Sequence, residues 1–433
     1  MRFCYWNGNI RRWSENRLPS FFSFQAEQEG VVSIKTAAII DADLIGKARH
    51  KFPNIACMKL SAYYKSLGYD VELKTDYNNL ENYDVVTISK VFIDTVIPFE
   101  PEDMSMKNED QVADFYKDNP LLKMPNVIYG GTGFYYDKAP NLAEEIEHIK
   151  PDYHLYDEWV QEKLSAGGKP IEYKYYTDYS IGFTTRGCFR KCKFCVNRNY
   201  NRVFLHSAVE EFSDETRKKI CLLDDNLLGY PKWKEIIRSL QDTGKPFQYK
   251  QGLDARLLTE ETCDILFKSR YDGDYIFAFD DYNDRELIEE KAYLIRRYNK
   301  QKSQNVKFYL FCGYDREEKY DTAFWKRDIC QLFERIFILA KYNFLPFVMR
   351  HQNYLKSEFF GTYINITRWC NQPAFFKNVS LSQFCKRDDE RCSGGKGTTA
   401  SWRYYQKMFE EIPESRQYLH TIPKELALDY SKW

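Results

Sequence analysis

From about residue 179 onward, short apolar runs alternate with segments of helical periodicity, which restricts this stretch to an α/β architecture. The runs at 179–185, 219–223, 247–252, 275–279, 306–311 and 345–349 have the length of buried strands. Most are separated by stretches with apolar residues at three- and four-residue spacing, at 232–242, 260–268, 285–299 and 323–342. A strand that returns parallel to its predecessor needs a crossover of a dozen or more residues, and helices of this length supply it. The pattern therefore predicts a mostly parallel sheet, open or curled into a partial barrel. Gly-Tyr-Pro at 229–231 and Gly-Lys-Pro at 244–246 punctuate it as loops.

A shorter version of the same rhythm precedes it. Strands are expected at 36–41, 71–73, 84–88 and 127–129, with a helix opened by Pro53 and ended by Gly68. The last strand runs into Gly130-Gly131-Thr132-Gly133. This is the rhythm of a small doubly wound, Rossmann-like domain over 36–160, after an N-terminal extension at 1–35. Residues 98–125, rich in Pro and charge, read as a surface excursion. The barrel segment is placed at 175–350 and an irregular, α-rich C-terminal extension at 351–433. In that extension 401–411 is expected to be helical, 393–399 (SGGKGTT) a flexible loop and the tail after Pro413 irregular.

Lys and Arg number 63 and so do Asp and Glu, so bulk charge gives no reason to expect an obligate nucleic-acid binder. No run approaches the ~18–20 apolar residues of a membrane span. The first residues, MRFCYWNGNIRRWSENR, have no apolar stretch behind their charges, so no secretory signal is read and a cytoplasmic, membrane-free protein is expected. In that compartment 12 cysteines do not form a disulfide framework. Nine are dispersed, and three crowd together as Cys188, Cys192 and Cys195.

The triplet has the spacing C-x3-C-x2-C and follows directly on the run at 179–185. Loops beyond the carboxyl ends of parallel strands are where such sheets place their active sites. Three soft thiolates within eight residues can wrap a metal or an iron–sulfur cluster, and one position short of four leaves room for a substrate. Arg186, Arg190, Lys191, Lys193 and Arg198 surround them with positive charge, which favours thiolates. The same cysteines could be free thiols, or part of a structural zinc site completed by a distant residue.

On these residues and their position the sequence resembles the radical S-adenosylmethionine superfamily over about 175–350. The resemblance implies a partial (β/α)6 TIM-like barrel in which Cys188, Cys192 and Cys195 hold a 4Fe-4S cluster. It implies that S-adenosylmethionine chelates the fourth iron and is cleaved reductively to a 5′-deoxyadenosyl radical that abstracts hydrogen from a substrate. Phe194, before the third cysteine, would lie near the adenine. Asp224, Asp225 and Asn226 would stand where the family holds the cosubstrate's amino group, although the glycines usual there are missing. Gln251, Asp254 and Arg256 would reach its ribose and carboxylate, and Asp280 its ribose or the substrate. The bland alternatives are a helix cap for the first group, a surface ion pair for the second and a solvated turn for Asp280. No residue is singled out as the catalytic relay.

A doubly wound domain ahead of the barrel resembles the cobalamin-binding subclass, which commonly carries D-x-H-x-x-G. Here Asp41-Ala42-Asp43-Leu44-Ile45-Gly46 lacks the His, and His50 has the wrong spacing. A degenerate domain without cobalamin is the expectation, and the glycine turn at 130–133 is read as a strand-end turn without a ligand. Cys370, Cys385 and Cys392 could hold a second cluster but match no compact spacing. Trp369, Phe375, Phe376 and Trp402, interleaved with Arg and Lys, could form a stacking platform for nucleic acid or simply a small core under a basic face. The implied partners are an electron donor such as flavodoxin or ferredoxin and an unidentified small-molecule, peptide or protein substrate. Alternatives are the same chemistry on nucleic acid, or a non-enzymatic zinc- or cluster-bearing binding module.

Overall fold

Strand β1 (Thr36–Asp41) is apolar on both faces because it is packed on both. Ala37 and Ile39 join Leu60, Tyr64 and Trp159 on one side, while Ala38 and Ile40 join Val86, Ile88 and Phe134 on the other. The chain turns through α1 (Ala42–Gly46) and α2 (Ile55–Ser66) to β2 (Asp70–Lys74), crosses to β3 (Val85–Ser89) and continues to β4 (Val127–Gly130). These strands are all parallel, in the order β2-β1-β3-β4. The chain moves outward from β1 first to one side and then to the other, so a topological switch point lies between β1 and β3.

The structure, a computed structural model of the chain, describes residues 34–47, 50–100, 115–299 and 305–430. The extension expected at 1–35 lies almost wholly outside the described residues, as does the middle of the excursion expected at 98–125. The chain divides into two compact units whose boundary falls between Asp224 and Asp225. No helix among the described residues is long and apolar enough to cross a membrane.

Beyond its four-stranded sheet the first unit contains β5 (Tyr179–Gly182), β6 (Thr185–Arg186), β7 (Phe204–Leu205) and β8 (Lys219–Leu222). β5 and β8 pair in parallel, from Tyr179 opposite Lys219 to Gly182 opposite Leu222. The single strand expected over 179–185 is broken here. After Gly182 the chain leaves the parallel pair, and β6 pairs antiparallel with β7.

In the second unit β10 (Tyr275–Ala278), β11 (Val306–Cys312) and β12 (Leu345–Arg350) form a parallel sheet in chain order. The segment that starts at β9 (Phe247–Tyr249) joins β10's side through parallel bridges at Phe247–Tyr271 and Leu253–Phe277. Helices Trp233–Asp242, Glu260–Lys268, Arg285–Tyr298 and Thr322–Lys341 lie where the periodicity puts them. Buried Arg335 donates from one guanidinium nitrogen to the carbonyls of Phe279, Asp280 and Phe311, tying the ends of β10 and β11 together. Both units are thus α/β with parallel sheets.

After β12 the chain is helical, with Phe360–Cys370, Pro373–Asn378, Leu381–Ser393 and Ala400–Glu411. The segment 393–399 has a definite shape, because Asp389 accepts from the amides of Gly397 and Thr399 and from the Ser393 hydroxyl. Trp369 is fully buried with its indole N–H on the Val379 carbonyl, and Phe376 is buried too. Those two rings are core, which leaves the stacking platform considered above without them.

Candidate functional site

Cys188, Cys192 and Cys195 lie on one loop that leaves β6 and runs into a single turn at Val196–Asn199, and all three are half-buried. Gly187 starts the loop at φ +86°, and a Cβ there would meet the Arg202 carbonyl oxygen at 2.4 Å, so both backbone angle and space require glycine. The Arg190 amide reaches Cys188 Sγ at 3.4 Å, and the Cys195 amide donates to the Cys192 carbonyl at 2.9 Å. Arg198 binds Asp137 Oδ2 at 2.8 and 3.0 Å and the Lys193 carbonyl at 3.0 Å. Lys191 donates to the Arg198 carbonyl at 3.0 Å and to Asn201 Oδ1 at 2.6 Å. These two cations brace the loop rather than simply surrounding the thiols with charge. Phe194, half-buried, accepts at its carbonyl from the Tyr136 hydroxyl at 3.5 Å.

Asp224 holds the base of this loop. Its carboxylate is fully buried and accepts from the amide and hydroxyl of Thr184, at 3.2 and 2.6 Å. It also accepts from the amide of Thr185 and, at 2.6 Å, from the Thr185 hydroxyl. Burial raises its carboxyl above the usual range while these four donors oppose the shift. Both oxygens are therefore engaged with the two residues that break the expected strand. Next along the chain, the Arg186 guanidinium lies 3.5 Å from the centre of the Phe183 ring and 3.6 Å from Glu147. Glu147 Oε1 also meets Lys59 at 3.0 Å and His206 Nε2 at 3.2 Å. Burial alone would raise the Glu147 carboxyl, but the His206 contact and the charges of Lys59 and Arg186 hold it well below the usual carboxylate range. The sequence gives no spacing signal for this group, since Lys59 and Glu147 are 88 residues apart.

At the switch point of the four-stranded sheet, buried polar side chains bind the backbone and one another. Asp41 Oδ1 accepts from the amides of Asp43 and Leu44, and Oδ2 from the Tyr156 hydroxyl at 2.9 Å. Asp43 accepts from the amides of Val91 and Phe92 and from the Thr95 hydroxyl. Lys90, fully buried, pairs with buried Glu100 at 3.3 Å. A Cβ on Gly131 would sit 2.2 Å from the Lys90 carbonyl oxygen, so this glycine turn packs against protein. His50 lies edge-on to Phe92 at 5.5 Å, and burial lowers its pKa. With Asp43 standing at the His position and its carboxylate engaged by Val91, Phe92 and Thr95, these residues do not fit a lower ligand to cobalt.

The same cluster predicts a pH effect on stability. Burial and then the neighbouring Asp43 charge push Asp41 up to about 7 from an ordinary 3.8. The folded chain therefore keeps this proton between about pH 4 and 7 while the unfolded chain releases it. The contribution is greatest below pH 4 and falls as pH rises to 7, by at most about 1.4 kcal/mol per pH unit. Asp41→Asn should remove this slope, so its stability relative to the parent, measured by urea unfolding, should rise from pH 4 to 7 and then level off. A difference constant across that range would contradict the assignment.

The remaining expected contacts lie on the second unit. Asp225 is half-buried and Asn226 buried, and Asn226 precedes the turn Leu227–Gly229. Asp254 takes Arg256 in a bidentate pair at 2.7 and 3.1 Å, and Arg256 also reaches Asp284 at 2.9 Å. Gln251, two residues past β9, has a buried Nε2 with no hydrogen-bond partner among the described residues. Asp280 follows β10, its carbonyl held by Arg335. Sequence reasoning missed Arg350, which ends β12 over the Tyr354 ring at 4.4 Å. Cys370 and Cys385 are buried among helices, where burial pushes the Cys370 thiol well up and that of Cys385 up to about 12, whereas Cys392 is exposed.

Among the described residues no group of three or more His, Cys, Asp or Glu side chains is gathered so as to hold a metal ion. The triplet shares a braced loop without converging on one point. A cluster draws each thiolate to a different iron, so soft donors spread along one loop suit it in number and chemistry.

Fold and loop together define an α/β protein with parallel sheets and a three-cysteine loop that follows β5 by way of the short antiparallel strand β6. No family model matches the chain. It is similar to a cytidylyl-2-hydroxyethylphosphonate methyltransferase from Streptomyces wedmorensis, at 23% identity over 146 residues, 30% of this chain and 26% of that protein. Among solved structures it is similar to the cobalamin-dependent S-adenosylmethionine radical enzyme OxsB with aqua-cobalamin bound. That likeness has 12% identity and a TM-score of 0.36, and covers 92% of this chain and 58% of the other. The chain thus spans only part of either protein, and both likenesses are remote.

Proposed function

We propose that the protein is a radical S-adenosylmethionine enzyme in which Cys188, Cys192 and Cys195 hold a 4Fe-4S cluster. The observation that carries this reading is the braced, half-buried three-cysteine loop beyond the parallel pair of β5 and β8. When bound and reduced by one electron, such a cluster supplies the reductant that splits S-adenosylmethionine into methionine and a 5′-deoxyadenosyl radical. The chain's own part is positional. Asp224 fixes Thr184 and Thr185, Gly187 makes the turn, and Lys191 and Arg198 hold the far side of the loop. On the second unit, Gln251 has a buried amide nitrogen with no acceptor among the described residues, which suits it to a polar group of a ligand.

The test is anaerobic reconstitution with iron and sulfide, then electron paramagnetic resonance of the dithionite-reduced protein with and without S-adenosylmethionine. About four irons per chain and a reduced-cluster signal that shifts on adding the cosubstrate are expected. Zinc in place of iron, or a cluster signal unmoved by the cosubstrate, would overturn the proposal.

A further inference from the structure

Arg350 closes β12, opposite Cys312 at the end of β11 in the parallel sheet of the second unit. Ligands of parallel α/β sheets bind beyond the carboxyl ends of the strands, where this residue stands. Its guanidinium lies over the Tyr354 ring at 4.4 Å and makes no hydrogen bond or ion pair among the described residues. Nη1 is buried without an acceptor, whereas Nη2 and Nε, equally without one, are not sealed from solvent. A guanidinium carries five N–H donors, and a buried donor left unmet is costly. The half-buried side chain thus reaches from the interior to the surface with its whole fork unused.

Carboxylates at this end of the sheet are committed elsewhere. Buried Asp328 accepts from the Gly313 amide at 2.8 Å and from the Tyr363 hydroxyl at 2.7 Å. Buried Asp315 accepts from the amides of Glu317, Lys319 and Tyr320. Glu358 binds the Thr322 hydroxyl at 2.6 Å and Lys407 at 3.3 Å. Lys356, exposed at the end of the turn Gln352–Lys356, lies over the Tyr320 ring at 5.3 Å and has no ion pair among the described residues. His351 adds no charge near neutral pH, because burial and then Lys356 lower its pKa to about 4. The segment after β12 therefore carries two positive charges that no carboxylate answers. Its shape is set as well, since Gly313 has φ +76° and a Cβ there would stand 3.0 Å from Tyr354 Cβ.

We propose that Arg350, stacked on Tyr354 and aided by Lys356, is the anchor of a binding site for a phosphate group. The planar fork of an arginine fits two oxygens of one phosphate, and a second positive charge on the segment favours a dianion over a carboxylate.

The experiment needs no iron, so its outcome does not depend on whether the cysteine loop holds a cluster. Thermal midpoints of the full chain are compared in sodium phosphate, sodium acetate and sodium chloride at equal pH and ionic strength. With inorganic phosphate at about ten times its Kd, the midpoint is expected to stand roughly 3–6 °C above those in the other two salts. Arg350→Gln should abolish the difference, and Lys356→Gln should weaken phosphate binding by about 2–5-fold. Should Arg350→Gln fail to fold, crystals of the unaltered protein soaked in sodium tungstate decide, by an anomalous peak beside Arg350. Equal midpoints in the three salts, a phosphate effect that survives Arg350→Gln, or no tungstate at Arg350 would overturn the proposal.

Discussion

Alanine at Cys188, Cys192 or Cys195 is expected to leave a folded protein that takes up no stable cluster and forms no 5′-deoxyadenosine from S-adenosylmethionine under reducing conditions. The thiols are half-buried on a loop whose shape is set by backbone hydrogen bonds, by Lys191 and by Arg198. Truncating one sulfur removes little packing, so unfolding free energies should stay within about 1 kcal/mol of the parent. Iron and sulfide per chain should collapse, because a three-thiolate set has no spare ligand. Cys392, exposed on the helix Leu381–Ser393, is the control whose alanine variant keeps both iron and cleavage. A triplet variant that still cleaves the cosubstrate would remove the basis for the proposed function.

Asp224→Ala should produce the largest loss of stability of any single change at the loop. It leaves two amides and two hydroxyls facing a buried gap, a cost of about 3–5 kcal/mol. Asp224→Asn keeps one acceptor oxygen and should fall between parent and alanine. Urea unfolding measures the stability, and iron uptake by the folded fraction measures whether the loop has lost its shape. An alanine variant as stable as the parent would mean that water can replace the carboxylate, and that Asp224 has another task.

Most strands and helices could be read from the sequence because their signal is local. The helix Glu260–Lys268 shows its apolar spacing within nine residues, and β1 shows its burial on both faces as an unbroken apolar run. The break between β5 and β6 was hidden. Thr184 and Thr185 are β-branched and lengthen the apparent strand, and the group that pulls them out of it is a carboxylate 40 residues later. The charged cluster around Glu147 was hidden for the same reason, since Lys59, Glu147 and Arg186 have no common period. In the C-terminal helices, composition could not say which aromatics face inward. Trp369 proves to be core while Phe360 is 37% exposed. The cysteine triplet was legible because its three donors sit within eight residues.

The carboxylate that shapes the loop is also the last residue of the first unit. On the ribosome, the three thiols are therefore made before the group that fixes their approach. Until β8 and Asp224 are made, β5 lacks its parallel partner and Thr184 and Thr185 lack the carboxylate that holds them. The base of the cysteine loop is therefore completed only with β8 and Asp224, after the cysteines themselves.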